Sequence, residues 1–212
     1  MAEPSRAGRR DEIAEAKRAI ILRAARTIFE RDGVDAANIR AIATAAGYTP
    51  GALYGYFPSK EHIYAALLGE SLERLSAEVA AVTVLADPAD RFRAAGLAFF
   101  DFYDGNPRDL DLGFYLFRGG IRPHGLGAEL NADLNAVMLA GLAPMVSATI
   151  ELGATADRAR VITADVLAHL SGLLLLAHTK RLALLGDTDT DARQMMREYL
   201  DLRITALHAG QG

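Results

Sequence analysis

Apolar residues recur at steps of three and four along the whole chain, and no stretch sustains a two-residue alternation. That period commits the chain to an all-α fold of about nine helices. Ile13, Ile20, Ile21, Ala24, Ala25 and Ile28 mark a first helix over about 11–32, which opens on acidic residues and stops near Gly33. Two short helices are expected next, near 39–46 and 50–57. Asn38 caps the first, and Thr49 followed by Pro50 supplies a cap and a first-turn proline for the second. Gly47 stands between them, where a left-handed residue lets the chain turn sharply. Pro58-Ser59 then breaks the chain before a helix reaching about 83. From Asp87-Pro88 onward, turn residues divide helices near 88–104, 107–118, 126–152, 156–185 and 190–208.

Several function classes drop out. With no cysteine, thiol nucleophiles, thiolate metal sites and disulfides are absent together. The first dozen residues carry Arg6, Arg9, Arg10, Asp11 and Glu12 without the apolar run of a signal peptide. The greasiest stretch, Leu170 to Ala177, is far shorter than the roughly 20 residues of a membrane helix. A soluble cytoplasmic protein with no membrane partner is expected. There is no H-E-x-x-H, phosphate loop or G-x-S-x-G. His169 and His178 are out of phase for one metal, and Asp101, Asp104, Asp109 and Asp111 lack calcium-loop spacing. No enzyme activity, cofactor or metal is expected.

The net charge of −4 argues at first against a nucleic-acid partner, but the charge is unevenly spread. Residues 1–60 hold ten Lys/Arg against seven Asp/Glu, a balance of +3; the remainder holds 13 against 20, or −7. A basic head on an acidic body fits a localised anionic partner. Within that head, residues 39–57 form two short helices around a glycine turn, the pattern of a helix-turn-helix whose second helix enters the major groove. Ile42, Ala43, Ala46 and Leu53 are spaced to pack the helices together. Arg40, Thr49, Gly51, Ala52, Tyr54 and Tyr56 are left for the outward face. An ordinary helical hairpin inside a bundle has the same spacing.

The head resembles the TetR family of bacterial transcriptional regulators. The likeness rests on Ile21-Leu22-x-Ala24-Ala25-x-x-x-Phe29, Gly33, Ile42-Ala43-x-x-Ala46-Gly47, Leu53-Tyr54-x-Tyr56-Phe57 and Ser59-Lys60-Glu61, and covers about residues 18–68. It implies a three-helix DNA-binding domain over 1–60, then a helical ligand-binding and dimerisation domain over 61–212. It places Arg40 near the start of the second helix and Thr49, Pro50, Gly51, Ala52 and Tyr54 on the recognition helix. Tyr56 and Lys60 fall at phosphate-contacting positions. Gly55 departs from the family's usual larger residue; with Gly51 it costs the recognition helix about 1 kcal/mol per glycine relative to alanine. Arg6, Arg9 and Arg10 read either as a flexible arm able to touch the DNA backbone or minor groove or as a solvated terminus.

For the larger domain the resemblance implies a cavity for a small apolar or aromatic effector. Its candidate lining is Phe99, Phe102, Tyr103, Phe114, Phe117, Met138, Met145 and His178, although aromatic rings at helical spacing are also what a plain core contains. The basic Gly119–Gly127 loop is a candidate entrance, although a solvated basic loop has the same composition. Leu167, Leu170, Leu174, Leu182 and Leu185, with Met195, Met196, Tyr199, Leu202, Ile204 and Leu207, mark two amphipathic helices that the resemblance assigns to a homodimer interface. The function expected is a homodimeric repressor that holds a palindromic double-stranded DNA operator until an effector releases it. The rival is a helical small-molecule-binding protein whose head does not grip DNA.

Overall fold

A computed structural model of the chain describes residues 6–33, 36–115, 128–185 and 191–209. The described residues form α1 (Arg6–Asp32), α2 (Ile39–Ala46), α3 (Pro50–Leu53), α4 (Lys60–Ala80), α5 (Pro88–Gly105), α6 (Pro107–Tyr115), α7 (Ala128–Glu151), α8 (Ala156–His178) and α9 (Ala192–Ala209). Short 3-10 turns occupy Ala81–Val84 and Leu182–Leu185, and no strand occurs among the described residues. The fold is all-α, as the periodicity requires. Phe117 and the Gly119–Gly127 segment lie outside the described residues.

Local chemistry explains most boundaries. Asn38 accepts from the Arg40 and Ala41 amides, Thr49 from Ala52, Asp87 from Asp90 and Thr155 from Arg158. Helices α2, α7 and α8 share one stop. A left-handed residue follows the helix, and the next amide reaches back five residues: Tyr48 to Ala43 at 2.8 Å, Ala154 to Thr149 at 3.2 Å and Arg181 to Leu176 at 2.8 Å. The left-handed residue is glycine in the first two, Gly47 and Gly153, but Lys180 in the third. The expected 156–185 helix therefore ends at His178, a stop hidden because no glycine marks it.

The start of α1 also departs from expectation. Arg6, Arg9 and Arg10 belong to the helix rather than to a flexible arm, and its first turn carries no acid. Arginine is a good helix former, so the favourable acids from Asp11 onward do not set the boundary. Helix α3 is shorter than the expected 50–57. It closes at Leu53, and Tyr54–Tyr56 continue as a turn held by Gly55 to Ala52 and Tyr56 to Leu53 backbone bonds of 3.2 and 2.9 Å. Gly51 and Gly55 weaken the helix where it stops.

The chain forms two compact units: residues 1–70 with 108–134, and residues 71–107 with 135–212. In the first unit Ile21, Ala25, Phe29, Ile42, Ala43, Leu53 and Phe57 are buried together with Ile63 and Tyr64 of α4. The Tyr64 hydroxyl donates to the Ala37 carbonyl at 2.8 Å, and Arg26 pairs with Glu70. The Pro58-Ser59 break thus separates the turn after α3 from α4 without ending the folding unit.

In the second unit α5 is the central helix, packed on α8 and α9. Gly96 permits the closest approach: a Cβ there would stand 2.7 Å from a Leu200 methyl carbon. Arg93–Asp201 and Arg193–Asp101 pairs, at 2.6 and 2.7 Å, tie α5 to α9 at the periphery. Leu130–Glu151 and Ala156–His178 are long and apolar enough, by length and composition, to cross a membrane. Counting only the eight residues Leu170–Ala177, themselves interrupted by Ser171 and Gly172, missed this, because alanine, glycine and threonine dilute the apolar residues without adding charge. Helix α8 nevertheless buries Ile162, Val166, Leu170 and Leu174 within the unit.

Candidate functional site

Helices α2 and α3 meet at Gly47, whose φ of +75° sends the chain back across α2. Ile42, Ala43 and Leu53 are wholly buried in the joint. Arg40, Thr49, Pro50, Gly51, Ala52, Tyr54 and Lys60 are all exposed and Tyr56 is half-buried. The Thr49 hydroxyl oxygen is occupied in capping Ala52 at 3.3 Å, which leaves its proton to donate outward. Tyr54 exposes 53% of its surface, a large fraction for a residue of the turn that follows α3. The Arg40 guanidinium has no ion pair among the described residues. It shares an open groove of about 660 Å³ between α1 and α2 with Arg23 and Arg31. Arg31 is bound to Asp32 by bonds of 2.6 and 2.8 Å, which hold that carboxyl below its ordinary range.

The turn after α3 is fixed from α1 by residues that sequence reasoning passed over. Arg18 donates to the Tyr56 carbonyl at 2.6 Å, and its guanidinium lies 4.3 Å from the centre of the Phe57 ring. Lys17 stands 5.9 Å from the centre of the Tyr56 ring, whose other neighbour is Tyr48 at 6.0 Å, edge to face. One amine, two phenols and the exposed Arg40 give a surface of cationic and hydroxyl donors, the chemistry that meets phosphate oxygens and base edges. The excess of positive charge in residues 1–60 was the available signal for Lys17 and Arg18. The bond from Arg18 to Tyr56 spans 38 residues and leaves no local pattern.

The candidate ligand residues separate. Phe99, Phe102, Tyr103 and Met145 are buried in the second unit, with Phe102 and Tyr103 edge to face at 5.2 Å. Met138 is half-buried. The Phe99 ring comes within 3.8 Å of the position a Cβ would take on Gly141 of α7, and the Arg74 guanidinium of α4 lies 5.4 Å from the centre of the Phe102 ring. His178 faces Asp104 at 3.6 Å near the surface. Phe114 belongs to the first unit and is 38% exposed. A second cavity, of about 360 Å³, lies instead among Thr155, Arg158, Ile162 and Arg203.

Residues 21–67 match the family model described as bacterial regulatory proteins, tetR family. Over 62 residues the chain is 40% identical to the HTH-type transcriptional repressor KstR of Mycolicibacterium smegmatis, covering 29% of this chain and 30% of that one. Over 89 residues it is 37% identical to the HTH-type transcriptional activator FasR of the same organism, covering 42% and 41%. The match thus spans less than half the length of either relative. The fold is similar to that of the transcriptional regulator FadR from Bacillus subtilis, a structure in complex with stearoyl-CoA, with a TM-score of 0.61, 15% identity, and coverage of 88% of this chain and 97% of that one.

Proposed function

We propose that the chain, whose residues 21–67 match the model of the tetR family of bacterial regulatory proteins, is a homodimeric transcriptional repressor that holds a palindromic operator and releases it to an apolar effector. The observation that carries this is the α2–Gly47–α3 joint, with Arg40, Thr49 and Tyr54 exposed and Tyr56 held from α1 by Arg18. Two such heads in one dimer would meet successive major grooves about 34–36 Å apart. Arg40 and Tyr54 then read base edges, while Tyr56, Lys17 and Lys60 hold phosphates. With so short an α3, part of the readout falls to DNA shape.

The dimer is supported by an apolar stripe that the chain does not cover. Val161, Ala164, Ala168, Gly172 and Leu175 follow one another at helical spacing along α8, and every one is exposed. Leu202 of α9 is also 68% exposed. The effector reading rests on Phe99, Phe102, Tyr103 and Met145, whose rings and thioether suit a flat or long apolar molecule. A long-chain acyl compound is the class to try first, since a protein of this fold binds stearoyl-CoA. The test is a gel shift on the DNA upstream of the chain's own gene, with and without stearoyl-CoA. Retardation relieved by the acyl compound is the expected result. A chain that binds the compound but no DNA is a small-molecule-binding protein instead.

A further inference from the structure

Three buried side-chain atoms have no hydrogen-bond partner among the described residues: Glu70 Oε2, His169 Nε2 and Ser71 Oγ. The Glu70 carboxylate is ion-paired with Arg26, and the His169 ring is stacked on Tyr199. Ser71 has neither. It is wholly buried on α4, in the second unit.

The contrast with its peers is informative. The other buried aliphatic hydroxyls among the described residues, Thr149 and Thr163, donate to the carbonyl four residues back, Met145 at 2.8 Å and Ala159 at 2.9 Å. That bond is open to any serine or threonine inside a helix. Ser71 does not make it. An unsatisfied hydroxyl in the interior is a net cost to the folded chain, so it calls for a partner that the polypeptide does not supply.

The place of Ser71 says what that partner is. Residues three and four apart share a helix face, so Ser71 lies beside Arg74 and the buried Leu75. The Arg74 guanidinium lies over the Phe102 ring, which stands edge to face with Tyr103. A buried hydroxyl, one turn from a guanidinium that lies over an aromatic ring, suits an apolar molecule that ends in an oxygen acceptor. We propose that Ser71 is the polar anchor of the effector site, donating to the terminal carbonyl or carboxylate oxygen of an acyl chain laid against Phe99 and Phe102. This rests on the effector reading above and adds to it the recognised group and the residue that recognises it.

The test uses the full chain and Ser71→Ala, with Ser76→Ala on the same helix as a control for helix propensity. Without effector, Ser71→Ala should melt roughly 2–4 °C higher than Ser76→Ala, because it removes an unpaired hydroxyl. A lower melting temperature would mean that the hydroxyl serves the fold, and would overturn the proposal. The probes are sodium laurate, stearoyl-CoA and undecane, the headless counterpart of laurate. Ser71→Ala should bind the acyl probes about tenfold more weakly and undecane as tightly as the unaltered chain does. Acyl binding unchanged by the substitution overturns the anchor alone. Failure of the unaltered chain to bind any probe overturns the acyl-effector reading, and the anchor with it. Loss of laurate but not stearoyl-CoA binding assigns the anchor to a free carboxylate; the reverse assigns it to a thioester carbonyl.

Discussion

The imidazole of His169 lies flat on the phenol of Tyr199, ring centres 3.8 Å apart and planes within 7° of parallel. The Tyr199 hydroxyl donates to Asp165 and accepts from Arg203 at 3.1 Å, and Arg203 closes the group by pairing with Asp165. The Asp165 charge is thereby committed to Arg203, and the occluded Nε2 of His169 has no acceptor for a second proton. Burial pushes the His169 imidazole below its ordinary value of 6.5 and pushes the Tyr199 phenol above its own.

The first prediction follows from that depression. Folding favours the neutral ring, so the unfolded chain binds more protons as pH falls below 6.5. The stability contributed by His169 is complete above 6.5 and is lost as pH falls toward the depressed folded value. Urea unfolding of the chain and of His169→Phe, which keeps a stacked ring, should give curves that run parallel above pH 7. They should diverge below 6.5, the histidine form losing at most about 1.4 kcal/mol per pH unit relative to the variant. Curves parallel down to pH 5 would contradict the account of this ring.

The second prediction concerns Lys180, which holds φ at +57° where Gly47 and Gly153 do the same work in other helix stops. A left-handed lysine costs about 1–2 kcal/mol in the folded chain. Glycine relieves it but loses more entropy on folding. Lys180→Gly should therefore stabilise by about 0.5–1 kcal/mol, seen as a higher melting temperature. A loss of stability would mean that the lysine side chain, not the backbone, holds this stop.

The third prediction separates the core of the second unit from its uncovered stripe. Leu174 is wholly buried within its own chain, whereas Leu175 is 51% exposed beside it. Leu174→Glu should unfold the chain by burying a carboxylate. Leu175→Glu with Leu202→Glu should leave circular dichroism intact while light scattering falls to the 22.7 kDa of a single chain. A folded dimer in that double variant would place the interface elsewhere.

What the sequence made legible, it did through local chemistry. The Asn38 and Thr49 caps, the Gly47 turn and the inward set Ile42, Ala43 and Leu53 each depend on residues within one or two turns of each other. The end of α8 was hidden because Lys180 carries no mark of a left-handed conformation. The family resemblance assigns Leu170 and Leu174 to an interface, but both are buried within their own chain; periodicity shows that a face is buried and not by which chain. Arg18 went unnoticed for a different reason: its partner, the Tyr56 carbonyl, is a backbone atom brought near only by the fold. The uncommitted hydroxyl of Ser71 has no sequence signature at all, since it is defined by a bond that is not made.

On the proposed function, the head reads DNA through Arg40 and holds it through Lys60 and Tyr56. The most direct test is fluorescence anisotropy of the full chain, Arg40→Ala and Lys60→Ala on the duplex upstream of its own gene and on a scrambled duplex, at several salt concentrations. The unaltered chain should prefer the upstream duplex. Arg40→Ala should cost about 1–3 kcal/mol on that duplex and little on the scrambled one. Lys60→Ala should weaken both alike and lower the magnitude of the log–log salt slope by about one for each phosphate that goes unneutralised in each half of the dimer. An unaltered chain that binds the upstream duplex no better than the scrambled one, or a Lys60→Ala chain with both affinities and the salt slope unchanged, would contradict it.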